Sequence, residues 1–564
     1  MKKSILALGA AALFGGLGFA GSAQAVAFFG DAGNDNHGYT AANPQGLPQA
    51  TGLELNAGGI GHVLFVPYYS GQAGMNTMFN ITNTDTVNGK AVKVRFRGAA
   101  NSDDVMDFTV LLSPGDVWTG SVSNVDGAAT LSTPDNSCTL PQNVSAPFNT
   151  LRIDTKLTDA ARSLHLNEGY IEILNMADIP PGTWTDVVGG TPTYAATANA
   201  LYATILHNKA GVPTCDQALL NTTLGTLSQA FMGTRQDAFD AGLGAPTGQL
   251  MASYAVLTTD IVATYGGSAT AIRAVDAAGH NARGNIIYSP QLASPFADVA
   301  NIRDYTADPL LRNGNIEALW YDLPDMSTPL TVAGAAPYGG ATQLNDDVGI
   351  GTDALTQVDH WLADALGKTN VINDWIYNPD KNWQTDWVVS QPTRRYYAAV
   401  DYTTHGIVWN SDMTGTVVVP STVVTAAPPV AQNRYGSGVL SVNNTKLVSK
   451  NGDDLGTYAC MHLSWTGYNR EEGSNIQAGT TSLSPGAVTI NLNCGEVYTI
   501  TMGKQWSQVL QAQITNQYME VGSLGEAGWA YVTLGANLPS VGFSATSAPL
   551  NGGNLGYTIP HRWN

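Results

Sequence analysis

Residues 91–97 alternate without a break: Val92, Val94 and Phe96 on one side, Lys93, Arg95 and Arg97 on the other. A period of two is the signature of a β-strand, here with one apolar face and one polar face meeting water. Phe108, Val110 and Leu112 repeat the pattern ahead of a Ser113-Pro114-Gly115-Asp116 turn. An apolar run at 63–69 and the stretch 75–84 that follows add two more strands, and Pro67 suits the first of these to an edge or leading position. Strands punctuated at this rhythm by Gly, Pro and Asn turns predict a mainly β protein built as Ig-like β-sandwiches.

Two stretches break the β texture. Residues 195–208 and 217–227 are Ala/Leu-rich and predict two short helices, an insertion near 194–235 that contains Cys215. Residues 353–366 carry Leu355, Val358, Leu362 and Ala365 on one helical face, with Thr352 to cap the start and Gly367 to end it. The expected layout is a signal peptide at 1–25, an extended arm at 26–57, and a first β-sandwich region at 58–345. A helical linker at 346–375 then leads to a second β-sandwich region at 376–564.

The leader reading rests on Lys2 and Lys3, an apolar glycine-broken run from Ile5 to Ala20, and Ala23-Gln24-Ala25 as the cleavage pattern. That run is too short and glycine-rich for a stable membrane helix of ~20 residues. A secreted chain at the outer cell surface follows, with no transmembrane span after cleavage.

Charged residues make up only 12% of the chain, so its surface must be built mainly from Thr, Ser, Asn, Gln and Gly. The formal net charge of −19 repels phosphate backbones and excludes nucleic acid as a partner. Divalent cations are the natural counter-charge. Calcium takes carboxylate oxygens, and Asp103, Asp104 and Asp107 form one candidate cluster, Asp346, Asp347 and Asp353 a second. Turn chemistry and helix capping, especially at Asp353, explain the same residues without an ion.

Cys138, Cys215, Cys460 and Cys494 have no C-x-x-C spacing, and in an oxidising compartment they predict two disulfides. Three connectivities are open; pairing 138 with 215 and 460 with 494 keeps each bridge within one half. The second pairing meets a tension, because Cys494 continues the Val488, Ile490, Leu492 face while Cys460 opposes the Met461, Leu463, Trp465 face. One strand end would have to turn.

The nine histidines are scattered singly, without H-E-x-x-H, and neither a G-x-S-x-G elbow nor a phosphate-cradling loop is present. The expectation is a protein that is not an enzyme. Trp375, Trp383 and Trp387 lie close together beside Tyr396 and Tyr397, a cluster that suits a core or a sugar-stacking platform. Arg394-Arg395, a basic pair in an acidic chain, suits an acidic patch on a neighbouring copy.

Five runs stand together in order: Phe79-Asn-Ile-Thr-Asn-Thr84, Val92-Lys-Val-Arg-Phe-Arg97, Asp107-Phe-Thr-Val-Leu-Leu-Ser-Pro-Gly-Asp-Val-Trp118, the segment from Thr385 to Tyr397, and His561-Arg-Trp563. They resemble large exported β-rich cell-surface proteins of Gram-negative bacteria, and the likeness touches both halves of the chain. The resemblance implies a surface location, β architecture and a surface-layer or other envelope role, and it transfers no catalytic residue. The leading expectation is therefore a self-assembling structural protein, a homo-oligomer or lattice, with calcium as its only candidate cofactor. An adhesin or module binding envelope glycan is the alternative; a secreted hydrolase and an outer-membrane barrel rank behind both.

Overall fold

The computed structural model describes residues 47–284, 321–322 and 365–563, with breaks inside the first and last stretches. Its described residues are mainly β, and most strands belong to four sheets. Sheet I has seven antiparallel strands in the order Gly52–Asn56, Thr270–Val275, Val63–Ser70, Glu168–Ile179, Gly89–Gly98, Asp104–Leu112 and Cys138–Leu140. Sheet II has six, ordered Ala263–Ser268, Leu250–Thr258, Met75–Asn83, Val117–Val125, Ala128–Ser132 and Ala146–Pro147. The two meet through rings. Phe96 of sheet I lies 5.6 Å from Phe79 of sheet II, and Phe108 lies 5.4 Å from Trp118, centroid to centroid.

The later half builds sheet III, ordered Ser474–Gln477, Ser464–Asn469, Ala527–Pro539, Gly367–Ile376 and Arg562–Trp563. Sheet IV follows Asn516–Met519, Val497–Met502, Gln384–Ser390, Val541–Leu550 and Gly553–Pro560. Trp375, Trp387 and Trp465 are buried together between these two sheets, with Val532, Ile500 and Met519. Short helices at Ala200–Ile205 and Gln217–Leu220 occupy the insertion, as the Ala/Leu texture predicts, each capped by an Asn199 or Asp216 side chain. A further helix, Asp159–Asn167, was not foreseen; Thr158 caps it by accepting from Ala161 N.

Four expectations are corrected. The end of the predicted arm, Gly52–Asn56, is a paired edge strand of sheet I rather than loose chain. Pro67 lies in an interior strand, tolerated because the register with Glu168–Ile179 is broken by a bulge between Gly169 and Ile171. The halves are not separate bodies on a linker. Val388, Leu510, Val541 and Phe543 join the first half's apolar cluster, and Tyr254 packs 5.8 Å from Phe543. Of the predicted linker helix, only Ala365 and Leu366 are described; they are helical and buried, and Gly367 opens a strand.

The fourth correction concerns the polar face of the 91–97 strand, which is not wet. Gly89–Gly98 is buried along its whole length. Arg95 donates to Glu172 at 3.1 Å and stands opposite Asp107, while Lys93 donates to Asp107 at 2.6 Å. A bulge between Phe96 and Arg97 brings Asp104 opposite Arg97 although Asp104 and Asp107 are three residues apart. At the start of the strand Lys90 reaches Asp178 at 2.7 Å and Asp85 at 3.1 Å. Alternation reports that two faces differ in chemistry. It does not report whether the polar one meets water or carboxylates.

Burial moves these groups against their charged forms. It drives Asp178 up to about 6 against the pull of Lys90, and Lys93 down to about 8 against the pull of Asp107. Burial also pushes Asp85 up, but Lys90 and the amides of Asn88 and Val87 outweigh it and hold that carboxyl below its ordinary value. Lys90→Met would leave two buried carboxylates without their shared cation. The expected cost is about 3–5 kcal/mol, read as a fall in the urea midpoint at unchanged m-value.

Candidate functional site

A disulfide joins Cys138 to Cys215, with Cα atoms 5.3 Å apart, and ties sheet I to the helical insertion. Cys460 and Cys494 stand directly opposite one another in the register of Thr457–His462 with Leu492–Cys494. The expected turn of a strand end is therefore not needed to bring them together. The pairing register, invisible in the sequence, decides the matter.

The first acidic cluster faces inward. Asp107 accepts from Lys93, Asp104 stands opposite Arg97, and Asp103 Oδ2 lies 4.0 Å from His165 Nδ1. No group of three or more metal-ligating side chains converges among the described residues. The cations that meet Asp104 and Asp107 come from the adjacent Gly89–Gly98 strand. Asp346, Asp347 and Asp353 lie outside the described residues, as do Arg394, Arg395, Tyr396 and Tyr397. Of the tryptophan cluster, Trp375 and Trp387 are core, and Trp383 is half-buried under Lys381 Nζ at 4.6 Å from its ring.

The seam between the halves is polar and buried. Glu168 accepts from Gln513 N at 2.6 Å and from the Tyr68 hydroxyl at 3.2 Å. Ser102 donates to Glu496 at 2.5 Å, and Ala99 O accepts from Glu496 N and Val497 N. Asp386 takes three hydrogen bonds on one oxygen, from Ser507 Oγ and the amides of Val509 and Leu510. Burial still raises its carboxyl above the ordinary range. These acids are absorbed by internal packing.

Two surfaces of the later half face outward instead. One is the last strand of sheet IV. In Gly553–Pro560, Gly556 packs at Ala263 and Thr558 accepts from Gly266 N at 3.0 Å, which leaves Leu555 and Tyr557 59% and 40% exposed. No described strand pairs beyond it. The other is the outer face of sheet III. There Tyr468 and Trp529 stack with centroids 4.3 Å apart and planes 10° from parallel. Gly528 permits the close approach of the two strands here, because a Cβ there would fall 1.9 Å from Tyr468 O.

His561 ties sheet III to sheet IV behind these surfaces. Its Nε2 donates to Val388 O at 2.8 Å, which leaves Nδ1 to accept from the Asn373 amide at 2.9 Å. The chain leaves sheet IV at Pro560 and re-enters sheet III at Arg562, so this ring joins both. Comparison with protein families, with curated proteins and with solved structures gives no match for this chain.

Burial lowers the His561 imidazole to about 3 although Val388 O pulls it upward. Its folded value is below its unfolded one, so its contribution is present above pH 6.5 and is lost as pH falls from 6.5 towards 3. His561→Gln should therefore flatten the fall of the urea midpoint across that window, by up to about 1.4 kcal/mol per pH unit. An unchanged slope would mean that the ring takes up its proton without leaving the fold.

Proposed function

We propose that this chain is an exported structural protein of the cell surface that assembles with copies of itself through strand edges. The observation that carries the reading is the Gly553–Pro560 strand: no described strand pairs with it beyond Val541–Leu550, and Leu555 and Tyr557 alternate outward, away from the Ala263–Ser268 strand that packs on its other face. A long apolar edge is a template for another strand, and soluble proteins usually blunt it with charge, a bulge or a cover. This edge carries none of the first two: residues 553–560 contain no Lys, Arg, Asp or Glu, and they pair with Val541–Leu550 in unbroken register.

The low charge density supports dense lateral packing, since short hydroxyl and amide side chains lose little entropy when ordered. The Ig-like sandwich reading fits the pairing of sheet I with II and of III with IV across ring-filled cores. Calcium enters as a clamp between copies. With Asp107 committed to Lys93, that role falls to Asp346, Asp347 and Asp353.

Sedimentation velocity and negative-stain imaging of the purified chain test the proposal. The wild type should form ordered, concentration-dependent assemblies, and Leu555→Lys with Tyr557→Lys should abolish them at an unchanged melting temperature. A wild type that stays monomeric at all concentrations, with and without calcium, rules the proposal out.

A further inference from the structure

The outer face of sheet III has a different chemistry from the edge strand. Register across the sheet sets out rows of outward side chains: Tyr468, Trp529 and Asp374 in one, then Thr466, Tyr531, Ile372 and Arg562 in the next. Ser464, Thr533 and Asn370 continue the pattern. The opposite side of the same strands supplies Trp465, Val532, Val371 and Trp375 to the core. The aromatic rings are thus fixed on strands whose other face is locked, with Trp375 Nε1 donating to Trp529 O at 3.1 Å.

Around the rings stand groups of both signs. Asp374 and Arg562 are exposed, and Arg562 Nη1 lies 3.9 Å from Asp374 Oδ2, too far for a tight hydrogen bond. The turn beyond Tyr468 exposes Arg470, Glu471 and Glu472, and Asn469 Oδ1 holds it by accepting from Glu471 N and Gly473 N. Trp529 is 40% exposed.

We infer that this face binds a neutral saccharide. The C–H face of a pyranose stacks on an aromatic ring, and its vicinal hydroxyls require an acceptor beside a donor. Asp374 and Arg562 supply that pair, with the Thr466 and Thr533 hydroxyls one and two rows along. The ligands that share aromatic stacking are disfavoured here. Nucleic-acid bases come with phosphates, which Asp374, Glu471 and Glu472 and the net charge of −19 repel. A protein partner seeks an apolar, desolvated centre, whereas this one is interrupted by a carboxylate and a guanidinium. The same acidic rim disfavours anionic glycans. The site lies on a different sheet from Leu555 and Tyr557 and does not depend on assembly.

The full chain, titrated separately with hexaoses of β-1,4-glucose, β-1,4-N-acetylglucosamine and α-1,4-glucose, provides the test by calorimetry and tryptophan fluorescence. At least one should bind saturably. Trp529→Ala and Arg562→Ala should each weaken that binding roughly tenfold, Trp529→Phe should largely keep it, and the exposed Trp506→Ala should leave it unchanged. Thermal unfolding checks each variant. Should Trp529→Ala fail to fold, Arg562→Ala and Asp374→Asn, both at exposed positions, decide the matter. Absence of saturable binding to all three sugars at millimolar concentration overturns the inference. So does binding that is equally tight in the Arg562 and Trp529 variants, or sugar binding that Trp506→Ala removes.

Discussion

The arrangement on which the first half depends is a ladder of opposite charges largely buried on one face of sheet I. Glu172, Arg95 and Asp107 lie in one row across three strands, and Arg97 and Asp104 share the next row between two of them. Buried ions are tolerable only when each meets its counterpart in good geometry, so a slip of one register position would strand several of them at once. The ladder therefore specifies pairing more sharply than the Val, Ile and Phe on the other face, which would still face the core after a slip of two residues whereas the ions would lose their counterparts. The bulge ahead of Arg97 is part of that specification, because without it Asp104 and Asp107 would point to opposite sides.

The second constraint is the seam. Its apolar portion, including Phe543 against Tyr254, supplies burial, while Glu168 and Glu496 demand donors from the opposite half at fixed places. Polar groups of this kind contribute little net stability when satisfied but penalise every arrangement that leaves them unmet. The two halves are held in one relative position for that reason. Sheets III and IV can then present their outer strands at a fixed angle to the rest of the molecule.

Much of the strand content was legible in the sequence, because alternation and turn residues act locally: the Ser113–Asp116 turn forms with Gly115 at φ +73° and Asp116 N bonded to Ser113 O. The helices of the insertion were legible for the same reason. What stayed hidden is non-local. The neighbours of Asp107 on an adjacent strand, the placement of Cys460 opposite Cys494 and the interior position of Pro67 all follow from strand order, which short-range patterns do not carry. The aromatic cluster singled out around Trp375 and Trp387 turned out to be core, while the exposed stack joins Tyr468 and Trp529, residues 61 apart in number and adjacent only through pairing. A Gly at 528 beside Trp529 was the one local hint.

The bond from Gln513 N to Glu168 has a kinetic side. Its partners are 345 residues apart along the chain, and Ser390 with Pro67 are 323 apart. Contacts this remote form slowly, since the intervening loop must close before they return any free energy. A nascent chain holding only its first three hundred residues has the strands of sheets I and II, and Tyr68 to meet one oxygen of Glu168, but lacks the Gln513 amide that meets the other. The seam is thereby the last part of the first half to be completed, after the late strands have been made.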